Sequence, residues 1–144
     1  METIQVNIYD FNELSEKAKL KALTDYQCEA EYYWGYDSLT SLKEFMKEVG
    51  VNMTDYDIDW LNPGRSRVYY EGTPHGQFIK ENLTGFCMDY PLTNTWNKTK
   101  SIDACIDAFL KDCANDYEYQ LSEDGYNEHC NGNEIKFYED GTIY

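Results

Sequence analysis

Apolar and polar residues alternate at the start of the chain, which is typical of a β-strand with one buried face. Ile4, Val6 and Ile8 lie two residues apart and are separated by polar side chains. Tyr9 ends the alternation, and a turn follows. A half-buried strand is therefore predicted over residues 3–9.

Three segments repeat apolar residues every three to four positions, as amphipathic helices do. The first is predicted over residues 15–30 and begins at Ser15, a residue type that caps helix N-termini well. The second is predicted over residues 37–49 and is followed by Gly50, which suits the position after a helix end. The third and clearest helix is predicted over residues 101–121.

The centre of the chain predicts a β-hairpin. Residues 51–60 and 65–71 alternate, and Asn62-Pro63-Gly64 between them is a turn signal. The phase of the first strand changes after Met53, which indicates a β-bulge or a later strand start.

Residues 72–100 show no clear period, because glycine and proline recur there. A short helix over residues 77–82 and a strand over residues 84–88 are both compatible with the pattern. Irregular stretches of this length often carry function.

The end of the chain predicts a second hairpin, with Asp140-Gly141 as a tight turn between residues 135–137 and 142–144. Helical and strand segments are segregated along the chain, and 144 residues fit one domain. The predicted fold is a single α+β domain over residues 1–144, in which three main helices pack on an antiparallel sheet.

The charge narrows the range of functions. The chain holds 27 acidic and 12 basic side chains, a net charge of −15, so its field repels nucleic acid and anionic membranes and attracts basic proteins. Residues 101–144 hold eleven acidic and two basic side chains, so the imbalance is concentrated there. A basic protein partner is predicted, with no direct binding of nucleic acid or membrane. The alternative is that the charge serves solubility alone.

The acidic residues of the third predicted helix fall on the two flanks of its apolar face at 100° per residue. They form either a solvated polar face or a carboxylate surface that occupies a groove built for phosphates. The concentration of charge favours the second interpretation. The carboxylates predicted to bind a partner are Asp103, Asp107, Asp112, Asp116, Glu118, Glu123, Asp124 and Glu128.

Aromatic side chains offer a second kind of contact. Tyr32, Tyr33, Trp34 and Tyr36 lie between the first two predicted helices. They either close one end of the core or anchor a partner. Trp96 is a second candidate of the same kind. Tyr33, Trp34 and Trp96 are the aromatic residues predicted to bind a partner.

The cysteine pattern and the hydropathy of the chain indicate the cellular compartment. The five cysteines form no CxxC pair, and no apolar run reaches the roughly 20 residues of a membrane span. No secretory signal pattern is found before them. A soluble cytoplasmic protein with reduced thiols is expected.

Few residues could carry catalysis. Asp55, Asp57 and Asp59 share one face of a predicted strand and could hold Mg²⁺ or Ca²⁺, although an exposed hairpin face is the favoured interpretation. His75 and Cys87 could pair as a nucleophile, but no nucleophile motif surrounds them. The chain is predicted not to be an enzyme and to hold neither cofactor nor metal.

The opening residues 6–19, VNIYDFNELSEKAK, and the closing residues 139–144, EDGTIY, resemble a widespread family of small acidic proteins encoded by phages and mobile elements. The resemblance implies a phage origin, a host-cell cytoplasm and no known catalytic residues. Small acidic phage proteins include anti-CRISPR inhibitors, several of which block the positively charged nucleic-acid channels of CRISPR nucleases. The net charge of −15, concentrated in residues 101–144, suits a nucleic-acid mimic of this kind, because carboxylates can take the place of phosphates against arginine and lysine side chains.

Three functions are open. The preferred one is inhibition of a host CRISPR nuclease, a nuclease of a defence system, through the acidic surface. The second is an antitoxin-like or assembly partner of a basic protein. The third is metal-dependent hydrolysis by Asp55, Asp57 and Asp59, for which no ligands from other segments are identified.

Overall fold

A computed structural model describes residues 2–75 and 83–144. The described part is α+β, as predicted, with five α-helices and a two-stranded antiparallel sheet. The predicted layout of three main helices on a sheet matches it only roughly. The helix predicted over residues 77–82 lies outside the described residues. The elements are α1 (Glu16–Glu29), α2 (Gly35–Glu48), β1 (Asn52–Asp57), β2 (Arg67–Glu71), α3 (Asp89–Thr99), α4 (Ile102–Leu121) and α5 (Glu123–Gly132).

The chain divides into two compact units. Unit 1 comprises Met1–Glu31 and Tyr119–Tyr144, and unit 2 comprises Tyr32–Glu118. Each unit has its own cluster of buried apolar side chains. None of the helices in the described residues is long and apolar enough to cross a membrane.

The first predicted helix is confirmed as α1 of unit 1. The Ser15 hydroxyl accepts a hydrogen bond from the Ala18 backbone N–H at 3.2 Å and so caps the helix. Ala18 and Ala22 are buried in the core of this unit. Two rings at the centre of that core, Phe11 and Tyr126, meet edge to face with centroids 5.3 Å apart.

The strand predicted at the start of the chain is wrong. Residues 2–8 have no regular structure, and Ile4, Val6 and Ile8 are exposed. Pairing begins only at Tyr9, which exchanges two backbone hydrogen bonds with Phe137, at 2.9 and 2.8 Å. An alternating pattern forms a strand only where a neighbouring backbone pairs with it. No backbone among the described residues pairs with residues 2–8.

The predicted turn at Asp140-Gly141 is confirmed, although the pairing beside it is limited to an isolated bridge between Phe137 and Ile143. Gly141 has φ +92°, and an added Cβ would lie 2.3 Å from the Ala18 carbonyl oxygen. The position therefore requires glycine for its conformation and for the close approach of the tail to α1.

The second helix and the hairpin of unit 2 are also confirmed. α2 begins at Gly35, two residues before the predicted start, and Gly50 follows its end with φ +83°. The strands β1 and β2 pair antiparallel, with the register shift of a bulge between Met53 and Asp55, as the phase change predicted.

The strand over residues 84–88 is wrong, because this segment forms bends and a turn that lead into α3. α3 was not predicted. It contributes Leu92 and Trp96 to the core of unit 2, where Trp96 meets Phe45 edge to face at 6.0 Å. Pro91 is tolerated because it lies in the first turn of α3.

The third predicted helix is confirmed as α4, with the Ser101 hydroxyl accepting from the Ala104 N–H at 3.2 Å. Cys105, Phe109 and Cys113 are fully buried on its apolar face. The short helix α5 that follows was not predicted.

Candidate functional site

Tyr32 joins the two kinds of residue that the sequence singled out in unit 2, the aromatic segment and the acidic helix. Its hydroxyl donates a hydrogen bond to the Asp116 carboxylate at 2.7 Å. Its ring is 7% exposed and packs against Tyr117 at 5.1 Å and against Trp60 at 5.3 Å. Burial and the bond to Asp116 both raise the pKa of Tyr32, so its hydroxyl remains a neutral donor. The segment that follows Tyr32 is thereby attached to α4.

The next aromatic residues are exposed. Tyr33 is 74% exposed, Trp34 is 40% exposed and Tyr36 is 82% exposed. Tyr33 and Trp34 contact each other edge to face with centroids 4.9 Å apart. Exposed aromatic side chains are enriched at protein–protein interfaces, where they often contribute much of the binding energy. Tyr33 and Trp34, two of the residues predicted to bind a partner, are thus exposed, and Tyr36 is exposed as well.

The acidic part of the site is one flank of α4. Asp112 and Asp116 are four residues apart on this helix, so their side chains are neighbours. Asp112 is exposed, and Asp116 is half-buried where it accepts from Tyr32. We call these two carboxylates together with Tyr33, Trp34 and Tyr36 the aromatic–acidic surface.

The other predicted carboxylates of unit 2 lie on the opposite flank of α4. Asp103 accepts a hydrogen bond from the Tyr70 hydroxyl at 2.9 Å, and Asp107 forms an ion pair with Lys111 at 2.9 Å. Glu118 is exposed on the same flank, further along the helix. Asp103 and Asp107 thus have partners within the chain, as Asp116 has in Tyr32, but neither partner belongs to the aromatic segment.

The predicted carboxylates of unit 1 belong to α5. Glu123 and Asp124 occupy its first turn after the N-cap Ser122, where negative charge is favourable. Glu128 accepts a hydrogen bond from the Tyr119 hydroxyl at 2.7 Å. All three are exposed. Glu123 and Asp124 therefore stabilise the start of α5.

The expectation that Trp96 is a surface anchor is wrong. Its side chain is 1% exposed and lies in the core of unit 2. Leu92 and Trp96 are four residues apart and share the buried face of α3, a helical spacing that the sequence contained. The irregular appearance of the surrounding residues concealed it.

The three aspartates considered for metal binding are exposed on the hairpin of unit 2. Asp59 accepts hydrogen bonds from the Leu61 N–H and the Asn62 amide, so it shapes the hairpin turn. Asp55 and Asp57 are exposed on β1. No group of three or more metal-binding side chains occurs in the part of the chain that the structure describes.

The fold thus defines an α+β protein with an exposed aromatic–acidic surface in unit 2. No protein-family model matches the chain, and neither the curated proteins nor the solved structures contain a match.

Proposed function

We propose that this protein binds a basic protein partner through the aromatic–acidic surface and thereby keeps nucleic acid away from the partner. The observation that carries the proposal is the Tyr32–Asp116 hydrogen bond, which attaches exposed aromatic rings to an acidic helix flank. An interface combines these two features well. Aromatic rings contribute affinity through buried area, and carboxylates accelerate the encounter and select basic surfaces.

The net charge of −15 supports the same kind of partner. A surface that binds phosphates presents lysine and arginine side chains, which carboxylates can engage in place of phosphates. Together with the resemblance of the two terminal segments to small acidic phage proteins, this makes a CRISPR nuclease of the host the specific partner that we propose. The protein would act as an inhibitor and would itself perform no catalysis.

The test is a binding and cleavage assay with a purified CRISPR nuclease loaded with guide RNA. The double variant Asp112→Asn/Asp116→Asn removes two charges, and the amide introduced at position 116 can still accept the hydrogen bond from Tyr32. We expect its affinity for the nuclease to fall about fivefold, mainly through slower association, and its inhibition of DNA cleavage to fall in parallel. The affinity of the unmodified protein should decrease as salt rises from low to physiological concentration.

The matched control is Asp55→Asn/Asp57→Asn, which removes the same charge from exposed positions on β1 of the same unit. It should bind the nuclease like the unmodified protein. Equal losses in both variants would show that net charge acts without this surface. A lack of binding by the unmodified protein would contradict the proposal for this partner. Tyr33→Ala should also weaken binding without changing the salt dependence, because it removes an apolar contact.

A further inference from the structure

Unit 1 contains a cleft with a mixed aromatic and acidic lining. Its volume is about 410 Å³, and it lies between one face of α1 and the closing tail. Ala22 and Ala30 contribute small apolar side chains to the lining on the side of α1, and Thr142 and Ile143 line it from the tail. The close approach of Gly141 to α1 brings the tail beside this face of the helix.

Stacked rings form the aromatic part of the cleft. Tyr26 and Tyr126 both line it, and their rings stack with centroids 4.2 Å apart and an interplanar angle of 21°. The hydroxyl of Tyr26 donates to the Gln120 carbonyl oxygen at 3.3 Å, and Tyr126 is 2% exposed. The centroid of the His129 ring lies 5.9 Å from that of Tyr26, at an interplanar angle of 29°. The ring of Tyr26 is therefore held in one orientation, as a binding platform requires.

Two carboxylates line the same cleft. Asp25 and Glu29 are four residues apart on α1, one helical turn, and both are exposed. Lys21 already forms an ion pair with Asp25 at 2.8 Å, which leaves Glu29 as the main acceptor for a further cation. Among the described residues, no basic side chain lines the cleft. Unit 1 as a whole has 13 acidic and 4 basic residues.

We infer that this cleft receives the side chain of an arginine from a protein partner. A guanidinium group is planar, stacks on aromatic rings and donates to carboxylates, and its aliphatic stem packs on small apolar residues. The cleft offers a match for each part, with Tyr26 for the plane, Glu29 for the N–H groups and Ala22 for the stem. A lysine ammonium would use the carboxylate but would gain less from the stacked rings.

The inference rests on the proposed function only in that the arginine belongs to a basic partner. The cleft itself is made by residues of unit 1, and the aromatic–acidic surface by residues of unit 2. A small probe therefore tests the cleft without any partner. Binding of the probe by Asp112→Asn/Asp116→Asn should equal that of the unmodified protein, so the two proposals can fail separately.

The test is a titration of the whole ¹⁵N-labelled protein with N-acetyl-arginine methylamide, followed by backbone amide shifts in two-dimensional NMR spectra. We expect saturable shifts at Ala22, Glu29, Gly141 and Thr142. The corresponding lysine and norleucine derivatives should bind more weakly. Glu29→Gln should weaken binding of the arginine probe roughly threefold, whereas Glu16→Gln, an exposed residue of the same helix outside the cleft, should leave it unchanged.

Several results would overturn the inference. Equal binding of the lysine derivative would make the cleft a general cation site, and equal binding of the norleucine derivative would make it an apolar one. Shifts at these amides that depend on protein concentration without any probe would assign the cleft to contact between two copies of the chain. The absence of saturable shifts, or an unchanged affinity in Glu29→Gln, would also contradict it.

Discussion

Asp89 is a charged side chain that is 2% exposed, and its surroundings explain how its charge is tolerated. Its carboxylate accepts hydrogen bonds from the backbone N–H groups of Leu83, Thr84 and Gly85, at 3.0, 2.7 and 2.9 Å, and from the Thr84 hydroxyl at 2.7 Å. Burial raises the pKa of Asp89, but these hydrogen bonds, with one from Ser41, outweigh burial and hold the pKa below its usual value. Asp89 thereby holds the backbone of residues 83–85, which leads into α3, in place.

Asp89→Asn should lower the free energy of unfolding by about 1–3 kcal/mol, because an amide cannot accept the same set of hydrogen bonds. Since folding depresses the pKa of Asp89, its stabilising effect is present above the unfolded pKa of about 3.9 and is lost as pH falls through the lower folded value. Urea unfolding curves at neutral and acidic pH measure this.

The difference in stability between Asp89→Asn and the unmodified protein should shrink towards acidic pH. Asp57→Asn, at an exposed position in the same unit, is the control and should change stability little at either pH. A deficit in Asp89→Asn that stayed constant down to acidic pH would assign the loss to packing alone.

At the scale of elements, the helices that were predicted and the two that were not differ in their local signals. α1, α2 and α4 show an apolar period together with good starting or stopping residues. α3 and α5 contain residue types that a sequence pattern associates with breaks in a helix, Pro91 in α3 and Gly125 in α5, although the first turn tolerates Pro91 and Ser122 caps α5. Their stability comes from burial of residues such as Trp96 and Tyr126, which tertiary packing supplies.

The tight turn of the tail gives a prediction at this scale. Gly141→Ala should lower the free energy of unfolding by more than about 2 kcal/mol. The alanine would have to adopt a backbone conformation with positive φ, and its Cβ would clash with the Ala18 carbonyl oxygen. Gly85 also has a positive φ, +86°, but has nothing within 4 Å of an added Cβ. Gly85→Ala should therefore cost only about 1–2 kcal/mol, the cost of the backbone conformation alone. Thermal unfolding of both variants measures the difference, and equal losses would show that the contact with α1 is unimportant.

At the scale of the whole molecule, the reactivity of the cysteines measures how well each unit is packed, because both units contain buried thiols. Cys105 and Cys113 are buried in unit 2 and Cys130 is buried in unit 1, whereas Cys28 and Cys87 are exposed. Burial raises the pKa of Cys105 and of Cys113 to about 12, and it also raises the pKa of Cys130. A thiolate is the reactive form, so the three buried thiols should be protected twice, by burial and by protonation.

The native protein at slightly alkaline pH should therefore take up iodoacetamide at two positions, Cys28 and Cys87, and all five thiols should react in denaturant. Mass spectrometry of the intact protein and of its peptides counts and locates the modifications. Rapid modification of Cys130 alone among the buried thiols would indicate that unit 1 opens more readily than unit 2. Modification of all five under native conditions would contradict the packing of both cores.

The sequence by itself determined α1, α2, α4, the central hairpin with its bulge, and the turn at Asp140-Gly141. These features depend on periodicity, caps and turn residues, which are local. Only the tertiary structure decided that residues 2–8 pair with no other described segment and that Trp96 is buried, because pairing and burial depend on distant segments. The same holds for the candidate site. The sequence singled out Tyr33, Trp34 and the carboxylates, but the bond between Tyr32 and Asp116 joins residues 84 positions apart, and only the fold brings them together.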